Sequence, residues 1–333
     1  MPEPSCMVSV ICITYNHEAY IAEALESFLK QKTDFAVEIL VNDDASRDQT
    51  AAIVRAYAER CPDRIRAFLQ RENQFCKGGN IENDILLPHA RGKYVAFCEG
   101  DDFWSDPEKL QRQVDFLEAN PDYAACVHET TIRYCDGAAP DELFTKRWNT
   151  RQGDRDLELS DILPGMAHAY HTSSLMFRRA CGADFPDYFD CGVRYGFADY
   201  PRALFLRSQG KIRFLDRAMS VYRVRSNQDS WSANVDGQYE KLRHFILGQI
   251  DVLRLYGAHV QGEDAERVAH ELLEREFELM YIDGRDREQR RGPYREILRK
   301  KPLAYRIKNL IKCCFPALQS AHRRRRRFGE THD

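Results

Sequence analysis

Residues Met7 to Ile13 form an apolar, β-rich run, the pattern of a strand buried on both faces of a parallel sheet. Ile21, Ala24, Leu25, Phe28 and Leu29 then recur at three- and four-residue spacing, which predicts a helix. Val37 to Val41 predicts a second buried strand, ending at Asn42-Asp43-Asp44. Ser46, with Gln49 three residues on, reads as a capping box that opens a second helix whose apolar face is Ile53, Val54 and Tyr57. A third strand at Ile65 to Leu69, a helical segment over 80–90 and a fourth strand at Tyr94 to Cys98 follow. Alternation at this pace implies right-handed βαβ units and an α/β fold, an open, Rossmann-like, mostly parallel sheet covered by helices.

Further along, Lys211 to Leu215 and Met219 to Val224 read as strands, with Trp231 in a following loop. From Tyr239 the period turns helical, with Tyr239, Leu242, Ile246, Ile250 and Leu253 on one stripe and a second helix over Ala265 to Tyr281. These helices pack on the sheet domain or on a second subunit, which leaves a homodimer open. Leu303, Ile307, Leu310, Ile311 and Leu318 form an apolar stripe beside Lys300, Lys301, Arg306, Lys308 and Lys312, and Arg323 to Arg327 follow. The expected organisation is a sheet domain over 1–232, in halves of about 1–120 and 121–232, a helical extension over 233–298 and a basic amphipathic tail over 299–333.

With 333 residues, 43% hydrophobic and 30% charged, the composition excludes disorder, collagen and coiled coil. The net charge of −3 is a cancellation. Residues 1–284 carry 33 Lys and Arg against 47 Asp and Glu, a net of −14, whereas residues 285–333 carry 16 against 5, a net of +11. A basic amphipathic helix with an arginine cluster reads as lying on an anionic membrane surface. No nucleic-acid partner is expected, because no aromatic residues interleave the cluster and the body is acidic. The first apolar run lacks a basic leader and is too short for a signal peptide, and no 18-residue apolar stretch exists to span a bilayer. Eleven scattered cysteines without a C-x-x-C pair read as reduced thiols of a cytoplasmic protein, peripheral on the inner face of the membrane.

Ligands of open parallel sheets bind beyond the carboxyl ends of the strands. There this sequence places Thr14-Tyr15-Asn16, Asn42-Asp43-Asp44-Ala45-Ser46 and Glu99-Gly100-Asp101-Asp102. Asp101 and Asp102 are hard oxygen ligands suited to Mg²⁺ or Mn²⁺, ions that fill their remaining positions with phosphate oxygens and water, so a diphosphate-bearing substrate is the natural partner. Neither a P-loop nor a dinucleotide-binding glycine fingerprint is present.

Three segments, Val8-Ser-Val-Ile-Cys-Ile-Thr-Tyr-Asn16, Ile39-Leu-Val-Asn-Asp-Asp-Ala-Ser46 and Lys93-Tyr-Val-Ala-Phe-Cys-Glu-Gly-Asp-Asp-Phe-Trp104, resemble the family 2 glycosyltransferases. The resemblance continues through Lys109 to Leu117, His171 to Phe177 and Tyr200 to Arg223, roughly the first two-thirds of the chain. It implies a GT-A fold and an inverting, metal-dependent transfer from a nucleotide-diphosphate sugar, UDP being the usual donor nucleotide. The acceptor would be a glycan or a lipid-linked sugar in surface or extracellular polysaccharide synthesis. Asp43 or Asp44 would read the nucleobase edge, with Thr14 and Tyr15 lining the same pocket. Asp101 and Asp102 would form the metal motif, Asp102 as the direct ligand and Asp101 nearer the ribose, while Glu99 replaces the first acid of a stricter Asp-x-Asp. Asn73 and Lys77 would face the diphosphate or else belong to a solvated loop.

Asp199 matches the family's catalytic base, though by itself it also fits a helix cap. Arg225 stands where many members have a histidine, and reads as a cation facing phosphate. His171 is either a sugar contact or a hydrogen-bonded core residue, and Trp104 and Trp231 either stack on a sugar or pack inside. Two other readings remain at this stage: a non-catalytic nucleotide-sugar-binding module and a sugar-phosphate nucleotidyltransferase.

Overall fold

A computed structural model describes residues 6–137, 139–165, 169–182, 185–225 and 239–314. The chain divides into two compact units, residues 1–226 and 227–333. In the first, β1 (Cys6–Thr14), α1 (Ile21–Leu29), β2 (Ala36–Asp43), α2 (Thr50–Arg60), β3 (Ile65–Leu69) and β4 (Tyr94–Phe97) follow the expected alternation. Then come β5 (Phe103–Trp104), α3 (Lys109–Ala119), β6 (Tyr123–Tyr134), β7 (Glu142–Leu143), α4 (Phe144–Arg147), β8 (Arg155–Asp156), α5 (Leu159–Ile162), β9 (Met176–Arg178), α6 (Asp187–Arg194), α7 (Asp199–Gln209) and β10 (Lys211–Val224).

The strand order is β3-β2-β1-β4-β9-β6-β10-β5. Strands β3, β2, β1 and β4 pair in parallel, as do β6 and β10, and the three-residue β9 runs antiparallel between β4 and β6. The alternating residues Val8, Val10 and Cys12, Ile39 and Val41, and Tyr94, Ala96 and Cys98 face one layer. They form a core with Ile21, Leu25 and Phe28 of α1 and Leu110, Val114 and Leu117 of α3. This burial fixes the register of the strands and therefore the position of their carboxyl ends.

Three local expectations change. The second helix starts at Thr50 and its N-cap, Gln49, makes no side-chain cap, so the capping box is absent. Residues 46–50 are instead tied to the end of β1: Asn16 N donates to Ser46 Oγ at 2.9 Å, His17 N to Thr50 Oγ1 at 2.8 Å and Gln49 N to Glu18 Oε2 at 2.8 Å. The segment over 80–90 is helical but irregular, a π-helical turn at Ile81–Leu86 followed by a 3₁₀ turn at Leu87–His89 that contains Pro88. The two strands read over 211–224 are a single strand, β10, whose register against β6 shifts between Leu215 and Ser220.

The second unit holds α8 (Tyr239–Tyr256), α9 (Gly262–Ile282), α10 (Tyr294–Lys300) and α11 (Leu303–Cys314). Ile246, Ile250 and Leu279 form one small core, and Phe277, Ile297 and Leu298 a second. Leu318 and Arg323 to Arg327 lie outside the described residues. All eleven cysteines are unpaired, and no helix among the described residues is long and apolar enough to cross a membrane.

Candidate active site

The carboxyl ends of β1, β2 and β4 meet at one edge of the sheet. Asp44 N donates to Thr14 O at 3.0 Å, and Gly100 N donates to Ile13 O at 2.9 Å. Gly100 is required by close approach, since a Cβ there would lie 2.6 Å from Thr14 Oγ1. Asn16 and Ala45, just past the ends of β1 and β2, hold positive φ of 53° and 60°, a strained conformation for residues with a side chain.

Asp43 and Asp44 are both buried but do different things. Asp44 accepts Gln74 N at 2.7 Å on Oδ1 and Phe75 N at 3.1 Å on Oδ2, so its carboxylate folds the loop after β3. Asp43 accepts Ser46 N at 3.1 Å on Oδ2, while its Oδ1 is buried without a partner among the described residues, as is Thr14 Oγ1. Unpaired buried polar atoms are costly, and at the mouth of a strand-end cleft they are available to a water or a ligand. Tyr15 stands exposed beside them. Asn73 uses its amide within the loop, donating to Asp44 O and accepting Cys76 N, and Lys77 pairs with Glu72 in solvent.

The acidic turn after β4 is clamped by β10. Arg223 N donates to Asp102 Oδ1 at 2.9 Å, and Arg223 Nη1 donates to the Asp101 carbonyl at 2.6 Å. Arg225 Nη2 lies 2.7 Å from Asp101 Oδ2, and His17 Nε2 lies 3.5 Å from the same oxygen. Asp102 Oδ2 is 3.8 Å from His171 Nδ1, which also meets Ser173 Oγ at 2.9 Å, and the imidazole stacks on Tyr222 at 4.2 Å. Burial pushes His171 down to about 4, so it is neutral beside the acid. Burial, then Asp101 and Glu99, raise the Asp102 carboxyl well above the usual range. Glu99 is likewise raised by burial and by Asp101, Glu82 and Asp199, and its Oε2 has no partner among the described residues. Such crowded acids favour a cation or a proton among them.

Asp199 is the first residue of α7 and half-buried. The N-cap is Ala198, without a side-chain cap, so capping does not explain the acid. Asp199 Oδ1 accepts its neighbour Tyr200 N at 2.8 Å, and burial raises its carboxyl. One turn on, the fully buried Arg202 pairs with Glu82 of the π-helical turn and lies 4.5 Å from the Phe97 ring of β4, which fixes the start of α7 against the sheet.

Residues 9–183 match the family described as Glycosyl transferase family 2. The chain belongs to that family. This glycosyltransferase is 35% identical over 259 residues to an uncharacterised protein of Mycobacterium tuberculosis, covering 77% of this chain and 70% of that one. Over a shorter stretch of 112 residues it is 34% identical to the Escherichia coli UDP-Glc:alpha-D-GlcNAc-diphosphoundecaprenol beta-1,3-glucosyltransferase WfaP, covering 34% of this chain and 41% of that protein. Among solved structures, Staphylococcus aureus TarS in complex with UDP-GlcNAc aligns over 82% of this chain and 73% of its own with a TM-score of 0.56 at 24% identity, a likeness of fold. The first unit of the glycosyltransferase is thus a GT-A domain, and the second a C-terminal helical extension.

No three His, Cys, Asp or Glu side chains among the described residues converge to hold a metal. The acids of this glycosyltransferase fit a weaker scheme, one or two hard carboxylate oxygens completed by the substrate's diphosphate. Trp104 is core, its Nε1 donating to Ser173 O at 2.9 Å and its ring against Phe28, whereas Trp231 lies outside the described residues. His17, Arg223, Glu82 and Arg202 were not singled out from the sequence. His17 had one available signal, its place just beyond the Thr14-Tyr15-Asn16 strand end.

Proposed function

We propose that the glycosyltransferase moves a sugar, with inversion, from a UDP-linked donor to a glycan or lipid-linked acceptor in surface polysaccharide synthesis at the inner face of the membrane. The observation that carries the reading is the convergence, on one sheet edge, of Asp43 Oδ1 and Thr14 Oγ1, unpaired among the described residues, with the acid pair Asp101-Asp102, while Asp199 at the start of α7 is near enough to raise the neighbouring Glu99 carboxyl. Asp43 and Thr14 would hydrogen-bond the base, and Tyr15 would cover it. Asp102, held by Arg223 N and facing His171, with Asp101 beside it, would hold Mn²⁺ or Mg²⁺. Such a cation supplies Lewis-acid neutralisation of the leaving diphosphate. Asn73 and Lys77 are engaged within their own loop, which argues for shaping the diphosphate side rather than touching it.

In the reaction, the acceptor hydroxyl oxygen forms a bond to the anomeric carbon on the face opposite the diphosphate. The bond from that carbon to the phosphate oxygen breaks, and its electron pair leaves with the nucleoside diphosphate. Asp199 takes the hydroxyl proton, a role helped by its raised carboxyl. The likeness to WfaP, named for a UDP-glucose donor and a diphosphoundecaprenol-linked acceptor, supports this donor and acceptor class. The test is a thermal-shift screen of nucleotide sugars with and without Mn²⁺, followed by transfer assays on a lipid-diphosphate sugar. A midpoint unmoved by every nucleotide sugar would remove the reading.

A further inference from the structure

Helix α11 is built inside out. The residue it buries is polar: Asn309 donates to the Asp286 carbonyl at 3.2 Å and to Gln289 Oε1 at 2.7 Å. Tyr305, one turn earlier, packs on Phe277 and Tyr281 and accepts from Gln289 Nε2, and Lys312 lies over the Tyr281 ring at 4.1 Å. On the opposite side Leu303, Ile307, Leu310 and Ile311 are 66%, 49%, 48% and 45% exposed. They are four of the seven large hydrophobic residues exposed among the described residues, gathered on one helix of 12 residues. By helical spacing they share a stripe about 100° wide that points away from Asn309.

A helix that docks through its polar side leaves its apolar side for another partner. Charge selects that partner. Arg306 and Lys308 border the stripe on either side, both exposed and without an ion-pair partner among the described residues. A second copy of the chain, meeting this face across a twofold axis, would set these cations against themselves. An anionic lipid surface would not. We propose that α11 lies in the plane of an anionic bilayer, with Leu303, Ile307, Leu310 and Ile311 among the acyl chains and Arg306 and Lys308 at the phosphate headgroups. The inference adds a partner surface to the membrane location given under the proposed function, and it rests on α11 alone rather than on the catalytic residues.

The experiment is co-sedimentation of the full chain with vesicles of phosphatidylcholine, with or without phosphatidylglycerol. The parent pellets with the anionic vesicles, and Ile307→Ser/Ile311→Ser binds them roughly tenfold or more weakly, since each exposed aliphatic side chain contributes to insertion. Both positions are exposed, so circular dichroism and the nucleotide-induced thermal shift stay as in the parent. Arg306→Glu/Lys308→Glu also binds weakly and loses the salt dependence of the parent. Asp199→Asn pellets like the parent while losing transfer, which keeps failure of this inference separate from failure of the catalytic reading. Equal pelleting of the parent and Ile307→Ser/Ile311→Ser overturns the proposal. So does a parent that ignores anionic vesicles but forms a dimer in sedimentation velocity that Ile307→Ser/Ile311→Ser dissolves.

Discussion

Arg225 sets a guanidinium nitrogen 2.7 Å from Asp101 Oδ2. A fixed cation thus sits on one acid of the turn proposed to meet a divalent ion, and its Nε is buried without a partner among the described residues. Removing it should unbalance the acids in a readable way. In Arg225→Ala, UDP affinity measured by calorimetry in chelator falls about tenfold, or about 1.4 kcal/mol, while the gain from added Mn²⁺ grows. Unchanged binding in both buffers would take Arg225 out of the donor site.

Asp199 is expected to act on the rate and not on donor binding. Asp199→Asn lowers kcat by about 10²–10⁴-fold, the usual worth of a general base, with the UDP thermal shift retained. Because burial raises its carboxyl, the base loses its charge at a higher pH than an ordinary aspartate. Activity therefore declines on acidification earlier than a solvent-exposed aspartate would dictate, and a kcat/KM profile against pH would show the limb. A limb at the ordinary aspartate position, or an active Asp199→Asn, contradicts the assignment.

The neighbours Asp43 and Asp44 should separate cleanly. Asp44→Ala strips two backbone donors, Gln74 N and Phe75 N, of their acceptor, at about 1–3 kcal/mol for each donor left buried. The midpoint of unfolding falls accordingly. Asp43→Ala removes the acceptor of a single backbone donor, Ser46 N, and its main effect is loss of discrimination among nucleobases in a competition assay with UDP, GDP and CDP. An Asp43→Ala protein with the parent's nucleotide ranking would refute the base-reading role.

Lys109 supplies a stability test remote from the chemistry. Its side-chain nitrogen is fully buried, has no hydrogen-bond partner among the described residues and lies 4.0 Å from the Trp104 ring centre. Burial pushes it down to about 7 from its ordinary value of 10.5. Between those values the unfolded chain holds a proton that the folded chain does not, so stability rises as pH climbs from about 7 toward 10.5. Urea unfolding at pH 7 and pH 9 measures the difference, and Lys109→Met should flatten it. A parent whose stability is level over that interval would show that the amine keeps its charge inside.

The parallel half of the fold was legible because strands such as Val8 to Ile13 and Tyr94 to Phe97 are largely apolar on both faces, and polar residues, Thr14 to Asn16 and Glu99 to Asp102, stop the runs where the sheet ends. The antiparallel β9 was not. Three residues, Met176 to Arg178, carry no period of their own, and their place between β4 and β6 is set by pairing with distant segments. The choice between Asp43 and Asp44 was likewise closed to sequence, because it depends on which carboxylate meets the loop at Gln74 and Phe75. The false capping box over Ser46 and Gln49 came from the same source: the backbone donors there, Arg47 N and Gln49 N, find acceptors at Asn16 Oδ1 and Glu18 Oε2 across the sheet edge. Arg225 was marked only by its place where many family members have a histidine, and its pairing with Asp101, like that of Arg223 with the same turn, spans more than a hundred residues that no local spacing bridges.

Thr14 and Gly100 touch so closely that a single added methyl at Gly100 would collide with the threonine hydroxyl. The side of the cleft proposed for the nucleobase and the side proposed for the phosphates therefore share one mechanical joint. Pieces of the donor should not behave as independent guests: uridine seated at Thr14 should prepare the turn that meets pyrophosphate, and the affinity of UDP should differ from the sum expected of its fragments. The threonine would then be a hinge pin as much as a wall, and Gly100 the clearance that lets it turn.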